Sequence, residues 1–313
     1  DYGLNQLISA LYVGAHCVLL DYLLPRDIIR AIAKHKVTGL AAVPPLWQQL
    51  VQLDIPSDEL ASIRYFTNSG GVLAQDTLCQ LQALMPDALP YLMYGLTEAF
   101  RSTYLPPEQV SKRPTSIGKA IPNAEVLVLR SDGTPCQANE VGELVHCGPL
   151  VSLGYWNNHV ATDKRFKKAP NSLKEIPTSS MAVWSGDNVK YDEEGYLYFV
   201  SRNDEMLKSS GYRISPTEVE QCIYSLKGIE GVVVFGIPDE KIGQAICVVA
   251  EVNQQIANQL NTQEITEHCR KLLPNYMIPH FYHLVAKLPC NANGKIDRNT
   301  VKNKYQQLSR SAE

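Results

Sequence analysis

Between Leu4 and Leu92, short apolar runs alternate with stretches whose apolar side chains recur at helical spacing. Residues 17–20, 39–43, 63–67 and 89–94 read as buried strands, and 27–35, 45–53 and 75–85 as helices between them. Strand and helix taking turns marks parallel βαβ construction, in which helices cover the sheet faces and the strands need no polar alternation. Pro25, Pro44 and Pro56 fall near element starts, where a missing N–H costs little.

From about residue 116 to 200 the pattern shortens. Residues 126–129, 142–147, 188–191 and 196–200 are short strands separated by Ser131-Asp132-Gly133, Glu140-Val141-Gly142 and Asp192-Glu193-Glu194-Gly195. That rhythm predicts a small antiparallel β-barrel or sheet. Residues 167–180, rich in Pro, Ser, Asn and Lys, read as a mobile surface insertion. Beyond a polar turn at 202–204, a helix over 218–226, strands over 231–236 and 245–252 and a helix over 262–272 form an α+β unit of about a hundred residues. The expected fold class is therefore α/β followed by α+β.

The 313 residues, 45% hydrophobic and 19% charged, suffice for about two domains. A net charge of −3 supplies no basic field for nucleic acid and no polybasic membrane patch. No apolar run approaches the ~20 residues of a bilayer span. The opening Asp-Tyr-Gly-Leu lacks an initiator Met and the charged start of a signal peptide, and it reads as the middle of a fold. Eight cysteines stand singly with no C-x-x-C pair, as expected of packed thiols in a reducing, cytoplasmic setting. His280 and His283 are three apart in a strand-like run and point to opposite faces, which argues against zinc.

Four segments carry candidate chemistry. Asn68-Ser69-Gly70-Gly71 follows a strand, and paired glycines let backbone approach a flat ligand, although an ordinary β–α turn has the same look. Tyr94-Gly95-Leu96-Thr97-Glu98 ends another strand, where ligands of open α/β sheets bind. Thr97 can reach phosphate or cap a helix, and Glu98 can hold a phosphate-bound Mg²⁺. In Trp184-Ser185-Gly186-Asp187 a fixed carboxylate suits a ribose diol, with Arg202 as a fork of donors nearby in sequence, or else a hairpin-turn Asp beside a solvated face. Lys295, after Asn293-Gly294, can swing as a point charge for phosphate; the spacing is not that of a P-loop.

In order and spacing these segments, with Arg202, Asp204 and Lys208 running into Gly211-Tyr212-Arg213-Ile214-Ser215-Pro216-Thr217-Glu218-Val219-Glu220, and then Gly294-Lys295-Ile296-Asp297-Arg298, resemble the adenylate-forming enzymes. That superfamily holds acyl-CoA synthetases, the adenylation domains of peptide synthetases and firefly-type luciferases. Residues 94–106 and 116–129 look closest to the acyl-CoA ligases associated with bacterial exosortase systems. The resemblance implies a partial large lobe over 1–202, with a βαβ subdomain (1–115) and a small β-barrel (116–202). A smaller mobile domain over 203–313 would follow, hinged at Asp204.

It also implies roles. Gly70, Gly71 and Tyr94 would surround adenine, with Tyr94 stacked on it, and Ser69 and Gly95 would belong to the same cofactor site. Thr97 would contact the α-phosphate and Glu98 the Mg²⁺. Asp187 and Arg202 would hold the ribose. Lys295 would bridge substrate carboxylate and phosphate. Lys208 and Gly211 would belong to the thiol tunnel formed after the small domain turns. The implied reaction uses ATP and Mg²⁺ to adenylate a fatty or other acyl acid and passes it to CoA, or alternatively to an acyl carrier protein. Ser201 and Ser210 stand where the family usually has glycine. The family's Gly/Ser/Thr-rich phosphate loop belongs before residue 1, so the chain is expected to be a fragment, with an inactive adenylate-binding piece as the remaining alternative. Leu46, Trp47 and Phe66 are candidates for an acyl pocket, with core packing the readier explanation.

Overall fold

The computed structural model describes residues 2–170, 181–203, 205–253, 260–291 and 294–310. The chain forms two compact units, Asp1–Phe199 and Val200–Glu313.

In the first unit, helix α1 (Tyr2–Tyr12) precedes α2 (Pro25–His35), β1 (Gly39–Ala42), α3 (Pro44–Val51), β2 (Tyr65–Asn68), α4 (Gln75–Leu84) and β3 (Leu89–Tyr94). Strands β1, β2 and β3 are parallel neighbours, as the alternating pattern requires. The three helices from α2 to α4 bury one stripe each, and Ile29, Ile32, Trp47, Phe66, Leu78 and Leu81 make a dry core. Trp47 and Phe66 meet edge-on at 5.4 Å, and Trp47 Nε1 donates to Ala42 O at 3.1 Å. They are core residues. The strand expected over 17–20 does not form: no described strand lies beside it, Leu19 is exposed, and a strand without a ladder leaves its peptide groups to water.

The chain then runs through β4 (Thr103–Leu105), α5 (Pro107–Val110), β5 (Ser116–Ala120), β6 (Glu125–Leu129), β7 (Gly142–Cys147), α6 (His159–Arg165), β8 (Phe166–Lys168), β9 (Met181–Tyr191) and β10 (Leu197–Arg202). These strands continue the same sheet in the order β1-β2-β3-β4-β5-β10-β9-β7-β6, with β8 paired to β9. The expected barrel is absent: β6 is an edge and does not pair back to close a ring. Alternation and turn residues fix how many strands there are, but closure needs matched tilt and shear, which they do not encode. Of the expected insertion, Lys167 and Lys168 lie in β8, and residues 171–180 lie outside the described residues.

A buried guanidinium ties the segment between α5 and β5 to the β9–β10 turn. Arg113 donates to Asp192 Oδ2 at 3.1 Å and to Gln109 Oε1 at 2.6 Å, pairs with Glu194, and lies 4.2 Å from the Tyr196 ring centre. Burial works to raise the Asp192 carboxyl, but the Tyr196 N–H, Arg113 and the Tyr198 hydroxyl hold it below its usual range.

In the second unit, a hairpin of β11 (Leu207–Ser209) and β12 (Tyr212–Ile214) leads to α7 (Pro216–Tyr224). Strands β13 (Ile229–Asp239), β14 (Gly243–Val252) and β15 (Phe281–Val285) form one sheet, with α8 (Thr262–Leu272) and α9 (Arg298–Arg310). Val232, Val234, Ile246 and Val248 pack with Val219, Ile223, Ile265 and Cys269 of α7 and α8. The alternate residues Val233, Phe235, Cys247 and Val249 pack with Leu288 and Val301. Both faces are covered, so β13 reads as a nearly continuous apolar run. Ser215 caps α7 through Glu218 N, and Asn261 and Glu264 form a capping box on α8.

Candidate active site

The site-bearing turns of the first unit sit where the parallel strands end. Ser69 follows β2 and is buried; its Oγ accepts from Arg101 Nη1 at 3.0 Å. Asn68 Nδ2 donates to Gly71 O at 3.2 Å and shapes the Gly70-Gly71 turn, both glycines being exposed and Gly70 at φ +81°. After β3, Gly95 is required by crowding: a Cβ there would lie 2.8 Å from Phe100 O. Thr97 is exposed in a turn that leads to no helix, so the capping explanation does not apply. Glu98 is half-buried; its carboxylate accepts from the Tyr155 hydroxyl, and its carbonyl from Ser152 N at 2.8 Å. Phe100, at φ +61°, holds a conformation that costs a bulky side chain about 1 kcal/mol or more.

Asp187 sits inside β9, not on a hairpin turn. Gly186, at φ +72°, forms a bulge where the β7–β9 register shifts, and its N–H donates to Glu143 Oε1 at 2.8 Å. Ser185 Oγ donates to Leu144 O at 2.7 Å and accepts from Asp187 N at 3.1 Å. The bulge re-aims Asp187, and the Tyr94 hydroxyl donates to its Oδ2 at 2.5 Å. Two motifs 93 positions apart are thus in contact. Strands β4, β5 and β10 lie between β3 and β9 in the sheet, so a flat sheet would hold these residues about 19 Å apart. The sheet therefore curls back on itself without closing.

The remaining candidates belong to the second unit. Arg202 is exposed at the end of β10, and Asp204 lies outside the described residues. Lys208 is exposed on β11, and its N–H donates to Gln244 Oε1 at 2.7 Å. Ser210 (φ +52°) and Gly211 (φ +83°) make the two-residue turn to β12, the geometry of tight hairpins. Lys295 is exposed on a tight turn in which Asn291 N donates to Lys295 O at 2.8 Å and Lys295 N to Asn291 Oδ1 at 3.1 Å. Arg298, shortly after that turn, binds Glu220 at 2.8 Å and Val234 O at 3.2 Å.

Sequence reasoning missed Tyr155 and Arg101, which brace the Glu98 and Ser69 turns, and His146. That histidine is fully buried, its Nδ1 lies 2.9 Å from Ser102 Oγ, and burial pulls its pKa down to about 4, which keeps it neutral. Only the closeness of Arg101 to Glu98 in sequence pointed to any of them.

Glu98 fits a Mg²⁺ held mostly by phosphates, because such an ion needs only one or two carboxylates. No group of three or more His, Cys, Asp or Glu residues able to cage a metal occurs among the described residues, so a protein-only metal site is not what this turn offers. No helix of the described residues is long and apolar enough to cross a membrane.

The model of the AMP-binding enzyme family matches residues 1–156, and that of the AMP-binding enzyme C-terminal domain matches 218–295. The chain belongs to the adenylate-forming superfamily. Among adenylate-forming relatives it is similar to delta-poly-L-ornithine synthetase of Acinetobacter baumannii, 29% identical across 96% of this chain and 22% of that protein. It is 27% identical to the long-chain-fatty-acid–CoA ligase of Escherichia coli O157:H7, across 89% of this chain and 47% of that one. The o-succinylbenzoate CoA synthetase of Bacillus subtilis, solved with its acyl-adenylate intermediate, superposes with a TM-score of 0.80 at 27% identity, covering 96% of this chain and 58% of that one. The chain thus spans about half the length of such single-enzyme adenylate-forming ligases, and less of the peptide synthetases.

Proposed function

We propose that this chain is the adenylate-binding part of an AMP-forming acid–thiol ligase that activates a carboxylic acid, fatty or otherwise acyl, and transfers it to CoA with release of AMP and pyrophosphate. The observation that carries this reading is the Tyr94–Asp187 hydrogen bond, which joins the proposed adenine platform to the proposed ribose carboxylate. A carboxylate has capacity for about four hydrogen bonds, so Asp187 can be oriented by Tyr94 and still receive ribose hydroxyl protons. Ser69, Gly70, Gly71 and Gly95 offer backbone to the flat base, and Thr97 a hydroxyl to the α-phosphate. Glu98, steadied by Tyr155, would hold Mg²⁺, which supplies charge neutralisation as pyrophosphate leaves.

The chemistry brings a carboxylate oxygen against a phosphate of like charge. Positioning and fixed cations can supply the acceleration without a covalent enzyme intermediate. Lys295 would place its cation between acid and phosphate, Arg202 would reinforce the sugar, and Lys208 with Gly211 would line the thiol's approach once the domain turns at Asp204. Adenylation domains of peptide synthetases among the relatives support a carrier-protein thiol as the second reading of the acceptor.

Hydroxylamine capture in the presence of ATP and a panel of acids tests the first half-reaction in the full-length protein. Hydroxamate should form, and its rate should fall with Asp187→Ala. Tyr94→Phe should weaken AMP binding by about fivefold, the worth of one lost hydrogen bond. No hydroxamate with any acid, from the full-length protein, sinks the proposal. CoA and a phosphopantetheinylated carrier offered side by side decide the acceptor.

A further inference from the structure

Arg101 carries a charge that nothing among the described residues explains. Its residue is 6% exposed at the strand ends of β2 and β3. Nη1 donates to Ser69 Oγ at 3.0 Å, and the guanidinium carbon lies 5.2 Å from the centre of the Tyr2 ring. Nη2 is enclosed and meets no acceptor. No described carboxylate forms an ion pair with it. Asn68, on the same strand end, donates to Gly71 O, while its Oδ1 is also enclosed without a partner.

A guanidinium stays charged at any working pH, and an enclosed cation with no counter-charge is among the least favourable arrangements a fold can hold. One neutral hydroxyl and one aromatic face replace only part of its lost hydration. Burial pulls the Arg101 pKa down, and burial likewise pushes the Tyr2 hydroxyl up to about 12, so Tyr2 is a neutral cover and no counter-ion. The Tyr2 hydroxyl is itself spent on Thr67 O at 2.8 Å. Packing alone could be met by an apolar side chain of similar length. The cover is also thin, since α1 has no fully buried residue.

We propose that Arg101 is a specificity-determining residue of the proposed ligase site, its unpartnered amino group receiving a second anionic group, a carboxylate remote from the reacting one, on the acid that is activated. The substrate class is then a dicarboxylic or similarly anionic acyl acid, not a plain fatty chain. The planar fork with one N–H side committed to Ser69 suits a carboxylate arriving on the other. Asn68 Oδ1 accepts from a hydroxyl or water accompanying it. This inference rests on the adenylate-forming reading above and sharpens its acid.

The test is calorimetric titration of the full-length protein with monocarboxylic acids from butanoate to decanoate and the α,ω-dicarboxylic acids of the same lengths, with AMP titrated separately. At least one diacid should bind about thirtyfold or more tightly than its monoacid, the effect expected of a buried charge pair. Arg101→Met should erase that preference, and a fall in AMP affinity beside it reports only the lost brace on Ser69. A series in which no diacid exceeds its monoacid overturns the inference, and this comparison needs only the wild-type protein, so it stands even where the variant does not fold. Equal weakening of both acid series by Arg101→Met also overturns it, since Arg101 would then read the reacting carboxylate or only support the fold. AMP affinity of the wild-type protein reports on the nucleotide reading alone: retained AMP binding with no diacid preference fails the inference and spares that reading, whereas absent AMP binding fails the reading itself.

Discussion

The groups proposed to grip the nucleotide and those proposed to bring charge to it are built in opposite ways. In the first unit, Tyr94 stands on a strand end, Glu98 on the turn after it and Asp187 beside a bulge; Tyr94 and Asp187 hydrogen-bond across two strands, and Tyr155 steadies Glu98. In the second unit, Lys208 and Lys295 are exposed, on a hairpin strand and on a tight turn, while the chain just after Lys295 is pinned by Arg298 to Glu220. A binding group gains from being fixed before the ligand arrives; a group that must arrive gains from a free tip on a firm root. The contrast separates positions where stability and activity are coupled from positions where they are not.

The largest effect on stability should come from the root. Glu220 is buried; its Oε1 accepts from Val234 N at 2.8 Å and pairs with Arg298. Burial pushes its carboxyl above the usual range, with Arg298 opposing. Glu220→Ala should cost the second unit about 3 kcal/mol in urea unfolding, because the partner charge is left without its mate. Glu220→Gln, which keeps the acceptor for Val234, should cost less; equal losses would mean that the charge pair with Arg298 carries the whole effect and the Val234 hydrogen bond none of it.

At the tip the pattern should invert. Lys295→Ala should lower adenylation about 10²–10³-fold, leave thioester formation from premade acyl-adenylate within about twofold, and change stability by about 0.5 kcal/mol at most. Equal loss of both half-reactions would refute its assigned role.

Acid separates the units again. The folded-state pKa of Asp192 lies below its ordinary value of 3.8, so its contribution is present above that value and disappears as pH falls through the lower, folded value. The first unit should therefore weaken as pH drops below about 4, and Asp192→Asn should remove that part of the pH dependence, read as unfolding midpoints across a pH series. The smallest effect belongs to the β11–β12 turn. Ser210 sits at φ +52°, and Ser210→Gly should raise the second unit's stability by about 0.5–1 kcal/mol, visible as a shift in its denaturation midpoint.

How much of this was legible depends on what each signal encodes. Apolar periodicity gave β3 and α8 to the residue and β1, β2 and α2 to α4 within a few positions, because those elements are buried along a fixed period. Motif order brought out Tyr94 and Asp187, which the fold joins. The closed barrel and the strand at 17–20 failed for a shared reason: pairing partners are set by tertiary closure, and no local pattern states it. At Ser185-Gly186-Asp187 the hairpin-turn alternative stays open in the sequence because a bulge glycine and a turn glycine are spelled alike, and the continuous β9 removes it. Tyr155, Arg101 and His146 were missed because a brace is defined by what it touches.

The curl of the large sheet sets a tolerance on the nucleotide grip. Tyr94 and Asp187 meet only after four successive strand-to-strand joints, and small angular errors at each joint accumulate toward the far end. Gly118 sits in that run, at φ +85° with the Tyr104 backbone occupying the space any Cβ would need. A residue remote from the proposed base, sugar and phosphate contacts is thereby a gauge block for their alignment, and drift in AMP affinity among distant variants is a measure of how true the intervening joints remain.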